Sequence, residues 1–389
     1  MAEELATGPV YSYNLTVETP IDIDQMIYVL SPDDLPMLQG VNSDGFPVIP
    51  SSPTGDVLFY WLEEEVPLPR GIVNEALDDS ETAITMATGD AVKFAVGDQV
   101  RVDDEIMVVT AVNTSSEVLT VVRGSTATTN TTEATHVDQS IMIGMGSLLI
   151  EGAVGSTNFQ GRDKYSNYAQ IFSKKIQMSA TEQAIRKYGV PSELARQTAN
   201  MMQNYGVGME NALAYGVKHI QTADNRRQTG GLDHFITTNN DTASEWLTVD
   251  TIGEMQQLAY DAGGSFDIIV SNPANFAALN NITGSERVQT QSIDDARRGR
   301  RPAKFIETEF GTITLVRNRW LLPTDAFALK RGNVVQRKLR PMQLIKLAKS
   351  DDTDTWMVVG ESGFQVKGEA HMGKFSALNS AAAMPADLI

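Results

Sequence analysis

Between Pro191 and Arg227 the apolar and small residues recur at Leu194, Thr198, Met201, Tyr205, Met209, Ala212, Leu213, Gly216, Val217 and Ile220. Spacings of three and four put them on one face at 3.6 residues per turn. Pro191, Ser192 and Glu193 suit a helix start, where the missing Pro amide hydrogen has no partner to lose. The pattern predicts one long helix, about 50 Å at 1.5 Å per residue. Periodicity alone also allows an ordinary core helix, or two in succession joined at Gly206 and Gly208, each about 1 kcal/mol less favourable than Ala.

Before this stretch the pattern is different. Residues 1–56 carry seven prolines, at 9, 20, 32, 36, 47, 50 and 53, too many for a helix or a central strand. Yet Tyr11, Tyr13, Leu15, Ile21, Ile23, Met26 to Leu30, Leu35, Met37 and Leu38 are too apolar for a disordered tail. The segment reads as an extended arm lying on a surface, its own or a neighbour's. Val57 to Leu62 is a strand by β-branched and aromatic content, and its partner is expected in the extended run from Tyr165 to Ser179. Between them, residues 80–146 alternate in short Val- and Ile-rich strands with Gly, Asp and Asn turns, and Ser125 to Thr132 reads as an exposed loop. This is a small β-barrel or sandwich inserted into a long hairpin.

After the long helix, Thr229-Gly230-Gly231 breaks the periodicity and a mixed α/β region begins. Val249 to Ala262 is helical, Phe266 to Val270 a buried strand, and a further helix runs through Phe276 and Leu279. Residues 284–303 read as a polar, Arg-rich loop. Strands at Thr312–Val316, Ala326–Lys330, Gln343–Ala348, Asp354–Gly360 and Gly363–Glu369 are expected to form an antiparallel set. The class is α+β.

Composition narrows the chemistry. At 389 residues and 42% hydrophobic content, two or three cores are affordable, and the absence of Cys removes disulfides, thiolate metal sites and cysteine nucleophiles. No apolar run approaches the roughly 18 residues that span a bilayer. Residues 1–69 hold 12 acidic side chains and no Lys or Arg, so no charged leader is expected and a cytosolic place of synthesis is. A net charge of −18 argues against general nucleic-acid binding. The β block is acidic too, with 11 acidic and 3 basic residues in 78–140.

His136, His219, His234 and His371 show no ligand spacing, so no metal is expected. No nucleophile elbow, phosphate loop or HExxH helix is present, and neither a catalytic residue nor a cofactor site is assigned. Asp103, Asp104 and Glu105 read as the solvated turn of a hairpin. Arg297, Arg298, Arg300, Arg301 and Lys304 form a basic cluster without interleaved aromatics and beside Asp294 and Asp295. They are candidates for contact with an acidic protein surface.

The order of these parts resembles the major capsid proteins of tailed bacteriophages, of the Hong Kong 97 type. The match runs from Asn167-Tyr168-Ala169-Gln170-Ile171-Phe172 with Ile176 and Ser179, through Met209 to Leu213, Gly216 and Gly230-Gly231-Leu232, to Asn318 to Leu321, Leu339-Arg340-Pro341 and Val358 to Glu361. It leaves out the β block.

The resemblance implies a phage capsid fold: an N-terminal arm (1–56), an extended β-hairpin loop (57–79 and 147–190), the inserted β domain (80–146), a spine helix of the peripheral domain (191–228), an axial α/β domain (229–337) and closing peripheral strands (338–389). It implies a structural protein that self-assembles into hexamers and pentamers of an icosahedral head around double-stranded DNA. The virion would be its location, assembled in the host cytoplasm. Its main partner would be itself, with scaffolding, portal and decoration proteins and non-specific DNA contact on the inner surface, and no membrane. Intersubunit candidates are Arg297, Arg298, Arg300 and Arg301 with Phe59, Trp61, Tyr168 and Ile171. The alternative is a decoration, tail or adhesin-type binding protein with an acidic β module.

Overall fold

The computed structural model describes residues 35–39, 48–64, 68–124, 131–148, 151, 162–185, 192–281, 305–349 and 351–379. Ser51–Pro53 (β1) and Leu58–Glu63 (β2) lead into Arg70–Ile72 (β3), Ala83–Thr85 (β4), Asp98–Val102 (β5), Glu105–Asn113 (β6), Val118–Val122 (β7) and Ile141–Ser147 (β8). The chain returns through Asp163–Tyr168 (β9) and Gln170–Ser179 (β10), the short helix Ala180–Ala184 (α1) and the long helix Glu193–Tyr215 (α2). His219–Ile220 (β11), Arg227–Gln228 (β12), Leu232–Phe235 (α3), Asn240–Asp241 (β13), Val249–Asp261 (α4), Ile268–Ser271 (β14) and Pro273–Asn281 (α5) follow. The last strands are Phe305–Thr308 (β15), Gly311–Arg317 (β16), Ala326–Leu329 (β17), Val334–Lys346 (β18), Thr353–Val366 (β19) and Gly373–Phe375 (β20).

The chain divides between Tyr60 and Trp61 and again between Tyr165 and Ser166, giving a small unit and a larger one. The small unit is one sheet in the order β3-β8-β5-β6-β7-β4, every neighbouring pair antiparallel. Strand alternation turns Val100, Val102, Met107, Val109, Leu119, Val121 and Met142 to one side, where they close on Val73, Leu77, Ile84, Met86 and Phe94. Strand content and core therefore begin at Arg70 and Val73, earlier than the 80 read from the sequence.

In the larger unit, two sheets share the work. One has the order β1-β18-β19-β10, the other β13-β20-β17-β14-β16-β15. The five expected C-terminal strands split between them. β16 and β17 flank β14, one parallel and one antiparallel, while β18 and β19 form a long hairpin of the first sheet. The two strands expected within 354–369 are a single one, Thr353–Val366.

Helix α2 starts at Ser192, whose hydroxyl accepts from the Ala195 amide at 3.3 Å. It runs 23 residues without a break at Gly206 or Gly208 and packs Met201 and Tyr205 against Val358, with Phe172 edge-on to Tyr205. Gly206 is a point of close approach: a Cβ there would stand 2.4 Å from Leu35 Cδ1. The expected helix to Arg227 ends at Gly216 instead. A Cβ on Gly216 would lie 2.5 Å from the Thr229 carbonyl, because the chain folds back through the β11–β12 hairpin and Gly231 donates to the Gly216 carbonyl at 2.7 Å. Val217 and Ile220, periodic in sequence, are exposed on that hairpin side.

Of the arm, residues 1–34 and 40–47 lie outside the described residues. What is described belongs to its own subunit's core. Met37, Val48 and Ile49 pack with Leu213, Leu232, Phe327 and Phe364, the Met37 amide donates to Glu210 Oε1 at 2.9 Å, and β1 pairs in parallel with β18. Of the two surfaces the sequence allowed for the arm, these residues take their own chain's.

Candidate functional site

The aromatic candidates sit on the ribbon that β2 and β9 form. Successive strand residues face opposite sides, and β2 obeys this rule strictly. Phe59 and Trp61 are each 7% exposed, whereas Tyr60 and Leu62 are 51% and 61% exposed. Phe59 lies against Gly363, where a Cβ would come within 2.8 Å of its ring. The Trp61 ring stacks on Tyr165 at 6.1 Å and its Nε1 donates to Glu63 at 2.7 Å. Two candidate residues are thus internal anchors of the ribbon. The exposed side of the strand is made by Tyr60 and Leu62, which the sequence reading passed over although the period of two was its signal.

Tyr168 is half-buried, with Lys218 Nζ 6.0 Å from its ring centre. That ammonium donates to Ser166 Oγ at 2.8 Å, and burial lowers its pKa. Ile171, on edge strand β10, is half exposed and remains a surface residue. Arg297, Arg298, Arg300 and Arg301, with Lys304, lie outside the described residues.

The base of the ribbon is fixed by Asn167, fully buried. Its Nδ2 donates to the Gly230 carbonyl at 2.9 Å and to the Phe364 carbonyl at 2.6 Å, and its Oδ1 accepts from the Gly230 and Tyr168 amides at 2.8 Å each. One side-chain amide ties the β9–β10 corner to the turn after the long helix and to β19. Beside it, buried Glu361 accepts from Arg227 at 3.0 Å and Arg340 at 3.1 Å.

In the small unit, Asp103 and Asp104 do form the exposed β5–β6 turn, but Glu105 does not belong to it. Its side chain is fully buried and accepts from Nε and Nη2, one edge of the Arg123 guanidinium, at 3.0 and 2.8 Å. His136 Nδ1 faces Asp103 at 2.7 Å and its Nε2 faces Glu105 at 3.0 Å. The Ala134 amide donates to Glu105 at 3.0 Å. Burial pushes the Glu105 pKa up, and the Arg123 and His136 hydrogen bonds outweigh it, so the carboxyl stays below its ordinary value. All acceptors and donors are used, which makes this a structural clasp across residues 78 to 136. No group of metal-ligating side chains occurs among the described residues.

The sequence matches the SU10 major capsid protein family over residues 7–379. No curated protein matches it. Among solved structures, a chain from Mycobacterium phage Bobi is similar with a TM-score of 0.52 at 9% identity, covering 96% of this chain and all of that one, which supports the shared fold. The capsid of the Myoviridae phage XM1 (TM-score 0.49, 10% identity, 96% and 100% covered) and the capsid of a native GTA particle (0.49, 9%, 96% and 100%) are also similar.

Proposed function

The chain belongs to the SU10 major capsid protein family, and on that premise we propose how its parts serve a shell. It is a structural capsid protein and no enzyme; it assembles with itself and is part of the virion. The decoration, tail or adhesin alternative falls with the family assignment. Our reading of the finer organisation is that copies form hexamers and pentamers of an icosahedral head around double-stranded DNA. α2 acts as the spine of a peripheral domain, the sheet containing β14 to β17 belongs to an axial domain, and the small unit is an insertion. Portal, scaffolding and decoration proteins are further partners on this reading, and assembly takes place in the host cytoplasm.

One observation carries the assembly role of the ribbon. Phe59 and Trp61 are buried, while Tyr60 and Leu62, on the opposite face of the strand, are 51% and 61% exposed. Large apolar side chains next to one another on an exposed ribbon suit a protein interface. A neighbouring subunit is the natural occupant for a protein that assembles with itself. Replacing Tyr60 and Leu62 by Asp is expected to leave the subunit folded, with its melting temperature within a few degrees of the parent, and to abolish closed particles in electron micrographs. Normal particles from that variant would remove the ribbon from the interface.

A further inference from the structure

At the end of the sheet where β14 begins there is a cavity of about 710 Å³, with Gln256, Tyr260, Phe266, Phe310, Lys330 and His371 on its walls. Gln256 is 4% exposed, and no donor among the described residues reaches its Oε1. A buried acceptor without a donor is costly, so an incoming donor is stabilising here. At the rim Tyr260 and Phe310 are both exposed, and their rings meet at 5.5 Å. Aromatic faces in solvent beside a buried acceptor suit a flat cation rich in N–H groups, which is a guanidinium. The charge around them agrees. α4 carries Asp250, Glu254 and Asp261 with no Lys or Arg, and Glu309 also lines the cavity. Lys330 on the wall is turned to Ser265, whose Oγ accepts from its Nζ at 3.3 Å.

We propose that this cavity receives the loop 317–324 of a second copy, with Arg317 lying over Tyr260 and donating to Gln256 while Leu322 covers Phe310. The proposal rests on the reading above that copies form closed rings. A ring needs a head-to-tail contact between two different patches of one subunit. The sheet supplies them at its two ends. Ile268 stands level with Thr314 and Leu329 towards the cavity, and Ser271 with Arg317 and Ala326 at the far end. The loop is held there, because Asn272 Nδ2 donates to the Leu321 carbonyl at 2.8 Å and the Leu322 amide to the Tyr215 hydroxyl at 2.9 Å. From Phe310 to Arg317 the strand covers about 20 Å, so a subunit does not fill its own cavity. Charge separates the two ends as well. Residues 317–324 include Arg317 and Arg319 and no acid, opposite in sign to α4 and Glu309. Arg317 and Leu322 are both exposed.

The chain has no native cysteine, so introduced ones report cleanly. The test uses the full chain with Phe310→Cys and Leu322→Cys together, assembled and then joined by a bismaleimide too short to span one subunit's sheet. A denaturing gel is expected to show a ladder of linked copies ending at the pentamer and hexamer, and neither single variant is expected to give linked dimers. Dimers from Phe310→Cys alone mean that two cavities face each other, which overturns the proposal. Particles of ordinary appearance that give no ladder overturn it too, and leave the ring reading standing. A ladder running past the hexamer supports the contact and removes the closed rings. Gln256→Met is the second arm. Without the orphaned acceptor the free subunit is expected to melt higher, and without the partner of Arg317 its self-association in sedimentation velocity is expected to weaken at least tenfold, as in Arg317→Ala. A purely structural Gln256 would move the melting temperature alone. Association at parental strength in both variants overturns the proposal and gives the cavity to some other occupant.

Discussion

Glu105 shows what a single side chain demands of its surroundings. A carboxylate without exposure survives in a sheet interior only when its charge is matched, and Arg123 does this with two hydrogen bonds while spending its remaining N–H groups on the Glu81 carbonyl at 3.0 Å and on the Asp78 and Ala134 carbonyls. Removing one member leaves the other charge buried and unmatched, so Arg123→Met is expected to destabilise the small unit by about 3–5 kcal/mol, read as loss or early melting of its calorimetric transition in the full chain. The acid side follows from the direction of the Glu105 shift. A carboxyl held below its ordinary value of 4.5 contributes fully above that pH, and the contribution is lost as pH falls through the lowered value. Melting temperatures of the small unit measured from pH 5 down to pH 2 should therefore fall more steeply in the parent than in Glu105→Gln. The sequence could not disclose this clasp. Arg123 and His136 lie far along the chain from Glu105, and only the pairing of β6 with its neighbours brings them together.

Two glycines of the long helix region behave oppositely for equally local reasons. A Cβ on Gly231 would sit 2.4 Å from the Leu213 carbonyl and 2.6 Å from that of Ala212, both backbone atoms that cannot step aside. At Gly208 nothing lies within 4 Å. Gly208→Ala is expected to stabilise the larger unit by about 1 kcal/mol through helix propensity, and Gly231→Ala to prevent its folding; thermal melts of the two variants check both signs.

Among the elements, the helix, the buried strand at 268–271 and the alternating strands of the small unit were legible because each is set by a local period. Their ends were not. The helix ends at Gly216 because of a returning segment, and the small unit's core reaches back to Val73 and Leu77 through bridges to Met86 and His136. This makes the boundary testable by deletion. Pro69 and Gly144 are joined by a 2.7 Å backbone hydrogen bond and Leu148 is only four residues further on, so a Gly-Ser linker of about six residues can bridge Pro69 and Leu148 once residues 70–147 are removed. That variant is expected to be soluble with the larger unit's cooperative melt intact. Removing only 80–146 strips the partners from Val73 and Leu77 and is expected to give aggregated protein. The arm divides in the same way. Loss of residues 1–34 leaves Met37, Val48, Ile49 and β1 in place, whereas loss of 1–56 takes them out of the core. Circular dichroism melts are expected to place the 1–56 truncation well over a few degrees below the 1–34 truncation.

At the scale of the whole molecule the decisive quantity is charge. The chain carries −18, yet places four arginines between positions 297 and 301. Like charges at that density are relieved by something negative, and a shell offers two candidates, the carboxylates of an adjacent copy and the packaged DNA. Exposed ion pairs are worth about 0–1 kcal/mol each and weaken with salt, so their effect falls on assembly selectivity rather than on folding. Changing Arg297, Arg298, Arg300 and Arg301 together to Ser is expected to leave the subunit's melting temperature nearly unchanged and to reduce the yield of shells, most visibly at low salt, where the pairs are strongest. Contact with DNA makes a different demand. It leaves empty shells normal in number and depletes only filled ones, because counterion release contributes only when the polyanion is present. Counting empty and filled particles from the quadruple variant therefore decides which partner the cluster meets, and a normal yield of both would remove it from assembly altogether.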